Sequence, residues 1–200
     1  MLVLPKSNRI ILILLLSLLS NPTNTHAQTT KEKPNYLYYE ASNVGNNYIF
    51  QGKIFVNANV YCVIHIIYDF RHLKHFLTSA DSIDLVRQGR NWYEARFTYH
   101  HLLFKNKIIY RRILKQEENK VAFEMVSCEQ NSKLLPQILS SNGYYEISTE
   151  KGGSWVTYLQ ESKLEHSTLE WKVFFSETYA KKEAVRFLKN LKKYTEATCK

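Results

Sequence analysis

The side chains that could do chemistry are few and poorly grouped. His65, His72 and His75 could form one metal cluster, and His100-His101 a second. Zinc needs three or four convergent ligands at characteristic spacings. His72 and His75 stand three apart on a short predicted helix, but no Cys or acid completes a set. The histidines are therefore assigned as solvated or capping groups, and no metal is expected. General acid–base catalysis needs an ionisable group inside a pocket. Glu94, Arg96, Arg112 and Glu146 lie on predicted strands. Strand phase turns Glu94 and Arg96 outward with Trp92. Arg112 shares the face of Ile108 and Tyr110, from which it could reach inside and pair with a ligand carboxylate or phosphate. An arginine at the sheet edge is the preferred assignment. The sequence has no nucleophile elbow, Walker loop, dinucleotide fingerprint or zinc-protease motif. No catalytic residue is assigned and no cofactor is called for.

The elements that must position these groups follow from periodicity. Tyr48 to Ala58 reads as the first strand, with Phe50, Gly52, Ile54, Val56 and Ala58 on one face and Gln51, Lys53 and Asn57 on the other. Asn59 suits the N-cap of a short helix ending at Tyr68, and Asp69 that of a second, Phe70 to Phe76. Strand-like segments follow at Ile83 to Gln88, Trp92 to Phe104, Lys107 to Lys115 and Val121 to Cys128, with turns at Gly89 to Asn91 and Glu117 to Asn119. Asn131 to Gln137 is a break. Leu139 to Thr149 and Ser154 to Lys163 form another hairpin through Lys151-Gly152-Gly153.

Ser167-Thr168-Leu169-Glu170 is a capping box. Beyond it, Val173, Phe174, Ala184, Phe187, Leu188, Leu191 and Tyr194 mark one face of a long helix reaching Ala197. This helix is the only element able to cover one face of the sheet. Phase sends Tyr93, Phe97, Tyr99, Tyr110, Phe123, Met125, Tyr145 and Tyr158 toward it, with Phe174 and Phe187 on the helix opposite. Tyrosines join an apolar body to a polar tip, which suits a pocket that orients a ligand; the same residues could instead fill a core.

The N-terminus carries Lys6 and Arg9, then an apolar run from Ile10 to Ser20, then Thr25-His26-Ala27. That run is about eleven residues, the length of a signal-peptide core and short of the roughly twenty that span a bilayer. Residues 1–27 are expected to be a signal peptide cleaved near Ala27, residues 28–47 a leader with an irregular stretch at Tyr36 to Asn47, and residues 48–200 one domain. The product is expected to be secreted or periplasmic. The formal net charge is +9, and Lys181, Lys182, Arg186, Lys189, Lys192 and Lys193 concentrate much of it near the C-terminus. A solvated helix face is the plain reading; transient contact with an anionic membrane surface is the other, while export argues against nucleic acid. Cys62, Cys128 and Cys199 allow three pairings and leave one thiol over.

Val60-Tyr61-Cys62-Val63-Ile64-His65-Ile66-Ile67-Tyr68-Asp69-Phe70, followed by Phe76-Leu77, is similar to the apolar helix, Asp-Phe pair and downstream Phe of the helix-grip (START/SRPBCC) superfamily. That superfamily includes START lipid-transfer domains, polyketide cyclase-like proteins and coenzyme Q-binding proteins. Gly153-Ser154-Trp155-Val156-Thr157-Tyr158 resembles its late strand, and Phe187 to Glu196 its closing helix. The resemblance spans Tyr48 to Glu196. The chain departs from the pattern in lacking a Pro near Asn59 and in the bulk of residues 171–175. The resemblance implies an α+β fold: a curved antiparallel sheet of about seven strands wrapped on a long C-terminal helix, with two short helices after strand 1. It also implies a hydrophobic cavity between sheet and helix, lined by the inward aromatics and reached by Arg112, and a Cys62–Cys199 disulfide where the short helices cradle the end of the long one. It implies no shared reaction. The resulting expectation is a carrier for a hydrophobic small molecule such as a lipid, quinone or polyketide. A cyclase or hydratase using the same cavity, and a filled interaction module, are the rivals.

Overall fold

The computed structural model describes residues 37–101, 104–131, 136–166 and 170–200. The expected signal peptide lies outside them. Alternating apolar residues dictate strands, and hairpin turns set consecutive strands side by side. The strands are β1 (Leu37–Val44), β2 (Asn47–Val56), β3 (Ser82–Gln88), β4 (Trp92–His101), β5 (Phe104–Lys115), β6 (Lys120–Asn131), β7 (Ile138–Glu150) and β8 (Gly153–Leu164). They form one eight-stranded antiparallel sheet in the order β1-β2-β8-β7-β6-β5-β4-β3. Asn119 at φ 49° and Gly152 at φ 83° take the left-handed conformations that the β5–β6 and β7–β8 turns require.

Several boundaries differ from the sequence reading. The stretch expected to be irregular is a strand: Leu37 to Val44 pairs with Ile54 to Asn47 through a turn at Gly45, φ 63°. The sheet therefore has eight strands instead of about seven, it takes in residues ahead of Tyr48, and the short helices follow the second strand. The expected strand Trp92 to Phe104 ends at His101, and Phe104 already belongs to β5 as the partner of His101.

Helix α1 (Val60–Tyr68) and helix α2 (Phe70–Phe76) start at the expected caps. Asn59 Oδ1 accepts from the Cys62 N–H at 2.9 Å and Asp69 Oδ1 from the Arg71 N–H at 2.9 Å. The Arg71 side chain also clasps the Asp69 carboxylate at 2.5 Å, and these hydrogen bonds hold its pKa down to about 2. A carboxyl depressed from 3.8 stabilises the fold above that value and loses its contribution as pH falls through about 2. Asp69→Ala is therefore expected to cost about 1 kcal/mol at pH 7, with the gap to the parent closing in acid. Urea titrations at pH 7 and pH 2 check this; a gap of equal size at both pH values would rule it out.

Helix α3 (Glu170–Thr198) buries Ala184, Phe187, Leu188 and Leu191 against the sheet. It approaches closely at Gly52, where an added Cβ would lie 2.4 Å from Leu188 Cδ1 and 3.0 Å from the Phe50 ring. Both neighbours are fully buried. Gly52→Ala is expected to destabilise by about 1–3 kcal/mol through overpacking, read as a lower urea midpoint at unchanged slope; an unchanged midpoint would show that the helix yields freely.

The C-terminal half of α3 is fastened from several sides. Lys192 Nζ donates to Phe55 O at 2.8 Å and to Glu196 Oε1 at 2.5 Å, which also accepts from the Asn57 N–H. His72 Nδ1 and Tyr194 Oη lie 2.7 Å apart, and Cys62 is disulfide-bonded to Cys199. Tyr179, Ala180, Glu183 and Ala184, closer to the helix start, instead line a cavity.

Candidate functional site

The site grows from alternation along β5. Asn106, Ile108, Tyr110 and Arg112 project from one face, while Lys105 and Lys107 on the other are exposed. The Arg112 side chain is only 3% exposed, which corrects the sheet-edge assignment. Its Nη2 donates to Ile67 O at 2.8 Å, at the carbonyl end of α1, and its guanidinium lies 5.2 Å from the centre of the Tyr145 ring. Its Nε has no partner. Among the described residues no carboxylate comes within ion-pair distance of it. An arginine cannot shed its proton in a protein, so a cation is buried here among a carbonyl, a helix end and tyrosine rings, with no acid beside it.

Arg112 lies at the floor of a cavity of about 280 Å³ that opens partly to solvent and is lined mainly by apolar surface. Phe97, Tyr99, Tyr110, Phe123, Tyr145, Tyr158 and Phe187, all expected to face inward, line it together with Arg112. Rings of sheet and helix meet at Phe187, 5.3 Å from Tyr158 and 5.8 Å from Tyr145. These three rings form part of the cavity wall. Burial pushes the Tyr145 and Tyr158 phenols up, so both stay protonated and act as donors.

Two expected residues fall elsewhere. Tyr93 is buried but stands behind Arg112, its register partner, packed on Tyr68 and Phe70. Met125 is half-buried and off the lining. The bulge comes after it, at Val126: Tyr110 pairs with Met125 and Ile109 with Ser127, so Met125 keeps the phase of Phe123 yet stays off the lining. The side chain of Phe174 lies outside the described residues.

The sequence reading missed the polar end of the cavity: Asn106, Gln130, Gln160 and Ser162. Period two from Arg112 reaches Asn106, and period two from Tyr158 reaches Gln160 and Ser162; that was the available signal. It also missed Tyr48, Tyr179 and Glu183. Glu183 is paired with Arg186 at 2.5 Å.

The other chemically capable groups lie outside the cavity. Glu94 is on the outer face as expected, yet only 3% exposed, because Arg87 (2.6 Å) and Arg111 (2.9 Å) cover it beside Trp92. The hydrogen bond from Arg87 leads in holding its carboxyl below the usual range. His65, Asp69 and His72 offer ligand atoms within 4.8 Å of one another. Asp69, however, is already engaged by Arg71, and the Nδ1 of His72 by Tyr194. Cys128 is a half-buried free thiol.

No family model matches this sequence, and no curated protein matches it. The fold does find counterparts. A STAR-related lipid transfer protein from Xanthomonas axonopodis superposes with a TM-score of 0.64 at 14% identity, over 84% of this chain and 98% of that one. The chain has the helix-grip fold. The Zhui aromatase/cyclase from Streptomyces sp. R1128 shares it at a TM-score of 0.64 and 12% identity, over 75% of this chain and 94% of that one. A protein from Thermus thermophilus does so at 0.65 and 14%, over 75% and 98%. At these identities the likeness concerns the helix-grip architecture: a curved sheet, two short helices and a long closing helix.

Proposed function

We propose that the chain is an exported carrier that buries a hydrophobic small molecule between sheet and closing helix. One observation carries this reading: a mostly apolar cavity of about 280 Å³ with a buried, carboxylate-free Arg112 at its floor. Each methylene enclosed there contributes about 0.8 kcal/mol, and the guanidinium supplies a fork for an acidic or carbonyl head group. The anchored C-terminal half of α3 keeps the floor in place. Lys182, Arg186, Lys189 and Lys193 stand on its outer side and would attract an anionic membrane surface during exchange. The lipid-transfer relative in fold supports the reading by analogy.

A cyclase or hydratase in the same cavity is the second reading, favoured by an ionisable side chain at the floor and by the aromatase/cyclase likeness. Among the described lining residues the tyrosines are pushed up and the Glu183 carboxylate is engaged by Arg186, which gives this reading less support. A filled interaction module is disfavoured by the void.

Native mass spectrometry with lipid extraction, on protein recovered from the periplasm, tests the proposal. A co-purifying amphiphile is expected, on a chain beginning at Gln28. Empty protein that binds neither fatty acid nor quinone, or a chain retaining residues 1–27, would overturn the carrier or the export half respectively.

A further inference from the structure

The carrier reading leaves the ligand's chemistry open, and the cavity narrows it. One strand, β5, supplies both ends. Arg112 is at the floor, and Asn106 lies six residues earlier on the same face, about 20 Å along the strand. Asn106 is 8% exposed, lines the cavity, and its Oδ1 has no hydrogen-bond partner. The polar side chains sharing that end are engaged with one another or with backbone. Gln130 Nε2 donates to Pro136 O at 3.0 Å, and Gln160 Nε2 to Ser141 Oγ at 3.1 Å. The Ser162 hydroxyl donates to Ser141 Oγ at 3.0 Å, and the Tyr158 hydroxyl to Gln160 Oε1 at 2.6 Å.

Between the poles the lining is Phe97, Ile108 and Tyr110. A buried cation without an anion at one end and a buried acceptor without a donor at the other complement one kind of molecule. We propose, resting on the carrier reading, that the ligand is a bipolar amphiphile: an acid that meets Arg112, a hydroxyl that donates to Asn106, and an apolar skeleton spanning the aromatic stretch between them. A simple fatty acid would satisfy only the first pole and press its methyl end on the Asn106 amide.

Isothermal titration calorimetry of the disulfide-intact mature chain, with lauric acid, ω-hydroxylauric acid and methyl laurate, tests this. The hydroxy acid is expected to bind about tenfold tighter than lauric acid, as one hydrogen bond to a buried acceptor implies. Methyl laurate should be the weakest of the three. Asn106→Leu should erase the preference for the hydroxy acid while lauric acid still binds; Asn106→Ala serves the same purpose if the larger side chain prevents folding. Equal binding of the two acids, or a preference that survives both substitutions, overturns the bipolar ligand and leaves the carrier standing. Failure of all three probes to bind the parent protein removes both readings together.

Discussion

Arg112→Met is expected to weaken binding of an acidic amphiphile by about thirty- to a thousandfold, the equivalent of 2–4 kcal/mol for one partner of a buried charge pair, while the empty protein stays within about 1 kcal/mol of the parent. These effects separate because no carboxylate among the described residues pairs with the arginine. Removing a charge from an intact buried ion pair strands its partner and destabilises strongly. Here the groups left behind are the Ile67 carbonyl and the face of Tyr145. A methionine replaces the apolar stem and removes the desolvation cost of the buried charge, which offsets the donor that the Ile67 carbonyl loses. Arg112→Lys keeps the charge but not the planar fork, so its affinity should fall between the two. Calorimetry for binding and urea titration for stability give the two readouts. A loss of about 3–5 kcal/mol in stability at unchanged affinity would make Arg112 a structural group and remove it from the site.

The second large effect concerns the disulfide. Cys62 and Cys199 are 137 residues apart in sequence. For a loop of that length the chain-entropy model gives about 5 kcal/mol, of which native bridges commonly deliver about 2–5. A Cys62→Ser, Cys199→Ser double variant should therefore melt about 5–20 °C lower, and dithiothreitol should produce the same shift in the parent. Cys128→Ser should leave melting nearly unchanged, since that thiol closes no loop. A double variant melting within a degree or two of the parent would mean that the Lys192–Phe55, Glu196–Asn57 and His72–Tyr194 contacts hold the helix end without the bridge. Such a bridge persists only in an oxidising compartment, so the export proposal and this measurement bear on each other.

Much of the framework was open to a reader of the residues alone. The caps at Asn59 and Asp69, the Gly152 turn and the apolar stripe of α3 depend on neighbours a few positions away, and such signals survive into the fold. So did the phase of β5, which turned Arg112 toward Ile108 and Tyr110. Strand β1 was hidden because its polar residues carry no clear alternation; it exists as a strand only when β2 lies alongside. The burial of Arg112, its distance from every described carboxylate and the unpartnered amide oxygen of Asn106 were likewise out of reach. Local order is written in short-range sterics and hydrogen bonding. Whether a side chain is dry, paired or facing a void depends on segments far along the chain, such as Ile67, 45 residues from the arginine it receives.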